Sequence, residues 1–192
     1  MRICVYCASS PTVDKAYFDA TERLGNEFVK YDVEVVYGGG AYGLMGKLAD
    51  TILAGGGKIK GIMPKFMDVV EWGHKGVSDF VYTDTMHERK AKFLEEIDGL
   101  VALPGGSGTL EELLEAITLK RLGLFTKPIV ILNTKGYYDP LIVMLERCVT
   151  ENFMNIKHLQ MWKFVAEPEE VINAIRNSAE WDKGAINFAL ST

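Results

Sequence analysis

Short apolar runs alternate along the chain with longer stretches in which apolar residues recur every three or four positions. The short runs have the character of strands buried on both faces, and the longer stretches that of helices laying one side on a sheet. The pattern predicts strands over residues 3–8, 33–37, 58–63, 80–83, 100–103, 128–132 and 164–166. Between and after them it predicts helices over 14–31, 44–55, 86–96, 109–122, 140–151 and 167–177. Ala20, Leu24 and Phe28 form the apolar stripe of the first helix, and Leu110, Leu113, Leu114, Ile117 and Leu122 that of the fourth. Residues 65–75 keep no clean period and read as irregular. The alternation predicts an α/β fold: a doubly wound, Rossmann-like parallel sheet of about seven strands with helices on both faces.

A chain of 192 residues suits one such domain, expected over 1–180, with 181–192 as a C-terminal tail of no evident period. Net charge of −5 and the absence of clustered cations argue against a nucleic-acid partner. No apolar run approaches the roughly 18 residues of a membrane helix, and the first ten residues lack a signal-peptide core. The expected setting is therefore cytoplasmic, with no membrane partner. Cys4, Cys7 and Cys148 are too few for a disulfide framework, and Cys4 and Cys7, three apart in a strand, face opposite sides. His74, His87 and His158 have no further ligand at metal spacing, so neither a metal nor another cofactor is expected.

Open parallel sheets bind ligands beyond the carboxyl ends of their strands, which draws attention to the loops at 8–11, 38–43, 84–90 and 104–109. These are expected to converge on one crevice. Ser9 in the first, Gly39 and Gly40 in the second, and Met45 just past it are candidate substrate-binding residues. The strongest local signal is Pro104-Gly105-Gly106-Ser107-Gly108-Thr109. Its glycines let backbone approach an anion closely, while a helix starting near Thr109 aims free N–H groups and a positive dipole at it. Ser107 and Thr109 can add hydroxyl donors, and Thr109 could equally serve as a helix cap.

Other phosphate motifs fit less well. Gly38-x-Gly40-x-x-Gly43 has the form of a dinucleotide fingerprint, but no acid follows at the end of the next strand, where Ile62-Met63-Pro64-Lys65 stands. Gly46-Lys47-Leu48 lacks the hydroxyl residue and leading glycine of an ATP-binding loop. Ser107 lacks the final glycine of a serine-hydrolase elbow and a positioned His-Asp pair.

Glu111, Glu112 and Glu115 follow the glycine loop. Acids at a helix start match its dipole, yet a carboxylate just past a phosphate cradle also lies near the ribose of a bound nucleotide. There it can stabilise an oxocarbenium-like transition state and activate water. Arg89 and Lys90 place cations where a helix start disfavours them, which suits an anion-gripping role better than a solvated Glu88-Arg89-Lys90 surface.

The segments VYGGGAYGLMG at 36–46, MHERK at 86–90 and PGGSGTLEE at 104–112 together resemble the LOG family, the cytokinin riboside 5′-monophosphate phosphoribohydrolases, over roughly residues 1–155. The resemblance implies hydrolysis of a nucleoside 5′-monophosphate to free base and ribose 5-phosphate, with Arg89 and Glu112 as catalytic residues. It implies that Gly105, Gly106, Ser107, Gly108 and Thr109 hold the phosphate, that Lys90 and Glu111 assist, and that Glu71 and Thr118 help line the substrate site. Ser107 stands where plant members often carry an aromatic, and adenine, plain or N6-substituted, is the expected base. The resemblance further implies a homodimer with shared sites, for which the apolar helix around 110–124 is a candidate interface. A general AMP nucleosidase and a non-catalytic nucleotide or cofactor carrier on the same fold stand as the alternatives.

Overall fold

The structure is a computed structural model that describes residues 1–68 and 72–189. Its strands are β1 (Arg2–Tyr6), β2 (Glu34–Tyr37), β3 (Lys58–Pro64), β4 (Asp79–Thr83), β5 (Gly99–Ala102), β6 (Ile129–Leu132) and β7 (Trp162–Val165). They form one seven-stranded sheet in the order β4-β3-β2-β1-β5-β6-β7. Every neighbouring pair is parallel. Connecting them are α1 (Lys15–Lys30), α2 (Gly43–Ala54), α3 (Lys65–Asp68), α4 (Met86–Leu94), α5 (Ser107–Arg121) and α6 (Asp139–Thr150); α7 (Val171–Arg176) and α8 (Ile186–Ala189) follow the last strand.

The central strands read as unbroken apolar runs because helices cover both faces. In β1, Ile3 and Val5, continued by Cys7, point into one core with Leu24 and Phe28 of α1 and Leu48 and Ile52 of α2. Cys4 and Tyr6 point into the other, with Phe93 of α4 and Leu113 and Ile117 of α5. The two strand cysteines thus lie on opposite faces as the spacing predicts, both as buried free thiols. Burial drives both thiols well above the usual range, which makes them poor nucleophiles.

Several boundaries differ from the sequence reading. The seventh strand lies at Trp162–Val165, two residues earlier than expected at its start, and the helix expected over 167–177 is a short 3-10 turn at Pro168–Glu170 leading into α7. The irregular stretch contains the single turn of α3. Most consequentially, α5 begins at Ser107 rather than Thr109, with Gly106 as its cap in extended backbone. The stretch expected to be a tail packs back on the sheet as far as it is described: Trp181 donates from Nε1 to the Lys120 carbonyl at 2.7 Å, and Ala185 is fully buried. Among the described residues no helix is long and apolar enough to cross a membrane.

Strand order reverses between β1 and β5. From there the chain runs one way through β2, β3 and β4 and the other way through β6 and β7, so the carboxyl ends of β1 and β5 diverge into a crevice.

Candidate active site

A cleft of about 300 Å³ opens at that switch point. Its walls come from Ala8 and Ser9 after β1, Gly38 after β2, Met45 of α2, Met67 of α3, Arg89 of α4, and Gly106, Ser107, Gly108, Thr109 and Glu112 around the start of α5.

The start of α5 is open to the cleft. No side chain caps it, and Gly106 supplies the cap position with φ −80° and ψ −160°. The first-turn amides of a helix have no intrahelical acceptor, so they face the cleft with the positive end of the dipole. A Cβ added at Gly106 or Gly108 would meet nothing within 4 Å, and neither residue has positive φ. The fold demands glycine at neither place; what both glycines preserve is empty space in front of the amides. Gly105 differs, since a side chain there would collide with Thr109, which is buried and packed over it. The loop is gripped from behind by two residues that sequence reasoning missed: Tyr137 donates to the Gly105 carbonyl, and Tyr138 to that of Leu103 at 2.7 Å.

The other glycine loop makes close backbone contacts. Gly43, at φ +61°, lies against the backbone of Ser9 and Ser10, and the Met45 amide donates to the Ala8 carbonyl at 3.2 Å. Gly39 and Gly40 pair with the segment at 72–74 through an isolated bridge to Gly73 and a 2.9 Å bond from the His74 amide to the Gly39 carbonyl. Gly38 has a separate purpose, since a Cβ there would meet the Arg89 guanidinium.

Arg89 is 7% exposed. Its Nε donates to the Ile62 carbonyl at 3.1 Å, its Nη1 to Glu112 Oε1 at 2.8 Å, and its guanidinium stacks 4.6 Å from the Phe93 ring centre. Glu88 and Thr85 close a capping box at the start of α4, so the acid that the dipole favours is present and Arg89 falls one turn in, turned to the interior. Arg89 is thus no part of a solvated surface, the reading that the sequence already disfavoured. Glu112 lies on the second turn of α5, beyond the reach of dipole stabilisation. Burial pushes its carboxyl above the usual glutamate range, against the pull of Arg89. Gly108 and Glu112, four apart, share a helix face, so the bare glycine leaves a clear path from the amides to the carboxylate.

Residues 45–175 match the family described as possible lysine decarboxylase. The chain is 44% identical over 153 residues to the probable cytokinin riboside 5′-monophosphate phosphoribohydrolase LOGL1 of Oryza sativa subsp. japonica, covering 80% of this chain and 69% of that one. It is 41% identical over 154 residues to the cytokinin riboside 5′-monophosphate phosphoribohydrolase LOG2 of Arabidopsis thaliana, covering 80% and 72%. The chain belongs to the LOG family. A solved molybdenum cofactor binding protein from Rippkaea orientalis shares the fold with this LOG protein, at TM-score 0.69 and 19% identity over 91% of this chain and 94% of that one.

Of the residues singled out from sequence, the LOG cleft brings together Ser9, Met45, Arg89, Gly106, Ser107, Gly108, Thr109 and Glu112. Gly105 lies just behind them. Lys90 and Glu111 pair outside the cleft wall: the Lys90 ammonium bridges Glu111 at 2.6 Å and Glu115 at 3.0 Å, which raises its pKa and ties α4 to α5. Thr118 is on the exposed side of α5, its hydroxyl bonded to the Leu114 carbonyl at 2.8 Å. Eleven residues from Ser107, it is about 16 Å along the helix from the seat. Glu71 lies outside the described residues.

Proposed function

We propose that this protein hydrolyses the N-glycosidic bond of adenosine 5′-monophosphates, N6-substituted ones in particular, to free base and ribose 5-phosphate. The observation that carries the proposal is a buried Arg89–Glu112 pair whose acid lies on the same helix, α5, as an unoccluded glycine-flanked N-terminus. The 5′-phosphate rests on the amides of the Gly106–Thr109 segment, with the Ser107 hydroxyl in reach, and the ribose runs along the face shared by Gly108 and Glu112.

Glu112, held ionised and oriented by Arg89, faces the anomeric carbon. It stabilises the cationic sugar as the C1′–N9 bond breaks and takes a proton from the water whose oxygen bonds to C1′. The bond's electron pair leaves with the purine, which picks up a proton. Lys90 contributes through its links to Glu111 and Glu115 rather than by touching phosphate. The names carried by the curated relatives favour a cytokinin nucleotide as substrate.

The proposal extends to a cytoplasmic homodimer. Apolar side chains stand uncovered on Leu114 of α5, Leu124 just beyond it, and Val143 and Met144 of α6, each at least 41% exposed. A partner seated there would also cover Thr118 and give it a route to the neighbouring site. Light scattering of the purified protein tests the assembly; a monomer at micromolar concentration counts against it.

For the activity, the protein is incubated with AMP and with N6-isopentenyladenosine monophosphate, and the products are resolved by chromatography. Free base together with ribose 5-phosphate is the expected outcome, faster from the N6-substituted nucleotide. Equal rates would make it a general AMP nucleosidase. Free phosphate with intact nucleoside, or no product from either nucleotide, would overturn the assignment.

A further inference from the structure

We propose that Tyr137 is a positioning residue for the phosphate seat, its hydroxyl turning the Gly105–Gly106 peptide so that the Gly106 N–H faces the anion. This inference rests on the seat proposed above and concerns how that seat is kept open.

The two tyrosines ahead of α6 both donate to carbonyls of the glycine loop, yet the peptides they grip differ. Tyr138 holds the Leu103 carbonyl, and the next residue is Pro104, which has no N–H to aim. Tyr137 holds the Gly105 carbonyl, whose peptide ends in the N–H of Gly106. All peptides here are trans among the described residues, and in a trans peptide the carbonyl and the following N–H point in opposite directions. A phenol that fixes the Gly105 oxygen therefore turns the Gly106 hydrogen away from Tyr137; Gly106 lines both the cleft and the apolar hollow beside Tyr137.

Glycines leave this peptide free to rotate, since Gly106 has open space around it. An unclamped loop would spend part of its time with the Gly105 oxygen in the cleft, repelling the anion that the amide attracts. The Tyr137 ring is itself held by edge contacts with Tyr138 at 5.0 Å and with Tyr17 of α1 at 6.0 Å. Removing the hydroxyl alone leaves those contacts in place, so Tyr137→Phe isolates the clamp.

The test compares wild type, Tyr137→Phe and Tyr138→Phe by titrating ribose 5-phosphate into ¹⁵N-labelled protein and following the backbone amides. In wild type the Gly106 amide shifts strongly. Tyr137→Phe is expected to weaken the ligand about tenfold, as for one lost hydrogen bond to a charged group, and to shrink the Gly106 shift while its melting temperature stays near wild type. Tyr138→Phe leaves the buried Leu103 carbonyl unpaired, so it should lower the melting temperature more and the affinity less.

Turnover adds a second readout. The Tyr137→Phe loss should fall on KM for the nucleotide and not on kcat/KM for the corresponding nucleoside, which has no phosphate to seat. Equal ribose 5-phosphate affinity in wild type and Tyr137→Phe, or equal losses for nucleotide and nucleoside, overturns the clamp. A wild-type protein whose loop amides ignore ribose 5-phosphate overturns the seat itself, so the two failures are distinguishable.

Discussion

Arg89 Nη1 meets Glu112 Oε1 at 2.8 Å across the gap between α4 and α5, with both side chains at most 12% exposed. Two opposed effects act on that carboxyl, burial raising its pKa and the guanidinium lowering it, and the net displacement is upward. A carboxylate held in this balance is more basic than one in water, which favours abstraction of a proton from water.

Replacing Glu112 by Gln keeps an oxygen acceptor for Arg89 but removes the negative charge and the base. Nucleotide binding, followed by calorimetry with AMP, is expected to survive. Base release should fall by about 10²–10⁴-fold, the range of general acid–base contributions. Unchanged turnover would exclude Glu112 from the reaction.

Replacing Arg89 by Ala takes away the charge and the hydrogen bond that pull the Glu112 carboxyl down, leaving burial unopposed by them. Activity that needs ionised Glu112 is lost as pH falls through its folded-state pKa. The acid limb of the kcat/KM profile should therefore move to higher pH in this variant, as well as dropping in height. A limb that stays in place means another group sets it.

Gly108→Ala separates folding from function. The position is helical, lies outside the positive-φ region and has room for a methyl group, so alanine is expected to raise stability by up to about 1 kcal/mol. The same methyl group projects toward the ligand and should raise KM for the nucleotide. A destabilised variant with normal KM would show that the glycine serves the fold instead.

On the second face of the sheet, Lys120 is 3% exposed, with its ammonium bonded to the Lys127 carbonyl at 2.6 Å. Burial pulls this amine down to about 8 from the ordinary lysine value of 10.5. Between those two values the unfolded chain holds a proton that the folded chain has released, so stability from this group rises with pH across the window and is at its lowest below it. The melting-temperature difference between wild type and Lys120→Met should grow in favour of wild type from about pH 8 to 10; a flat difference would refute the shifted amine.

The sheet was legible because its central strands are buried on both sides, so Ile3–Tyr6 or Leu100–Leu103 read as unbroken apolar runs however the register falls. Glycine in excess of what a turn requires drew attention to the loop before α5, and to Glu112 as the carboxylate beside it. The true start of α5 was masked because Gly106, Ser107 and Gly108 are poor helix formers, and only the dipole and the cap make that turn pay. Long-range contacts were out of reach: Tyr137 and Tyr138 meet the loop 32 and 35 residues away. The burial of Arg89 could not be read from the sequence, since its space is opened by Gly38, 51 residues earlier. The bridge between Gly40 and Gly73, 33 residues apart, was likewise out of reach.

Seat and acid belong to one rigid rod, and this has a bearing on substrate size. Gly106 and Glu112 are separated by six residues of α5, a rise of about 9 Å set by helical pitch. In the proposed reaction phosphate is anchored at one end, so only a molecule whose scissile carbon reaches the other end would be cleaved, and α5 would act as a caliper for the stretch from C5′ to C1′. Discrimination against shorter sugar phosphates would then reside largely in backbone geometry, and one residue inserted between Thr109 and Glu112 would swing the carboxylate about 100° around the rod.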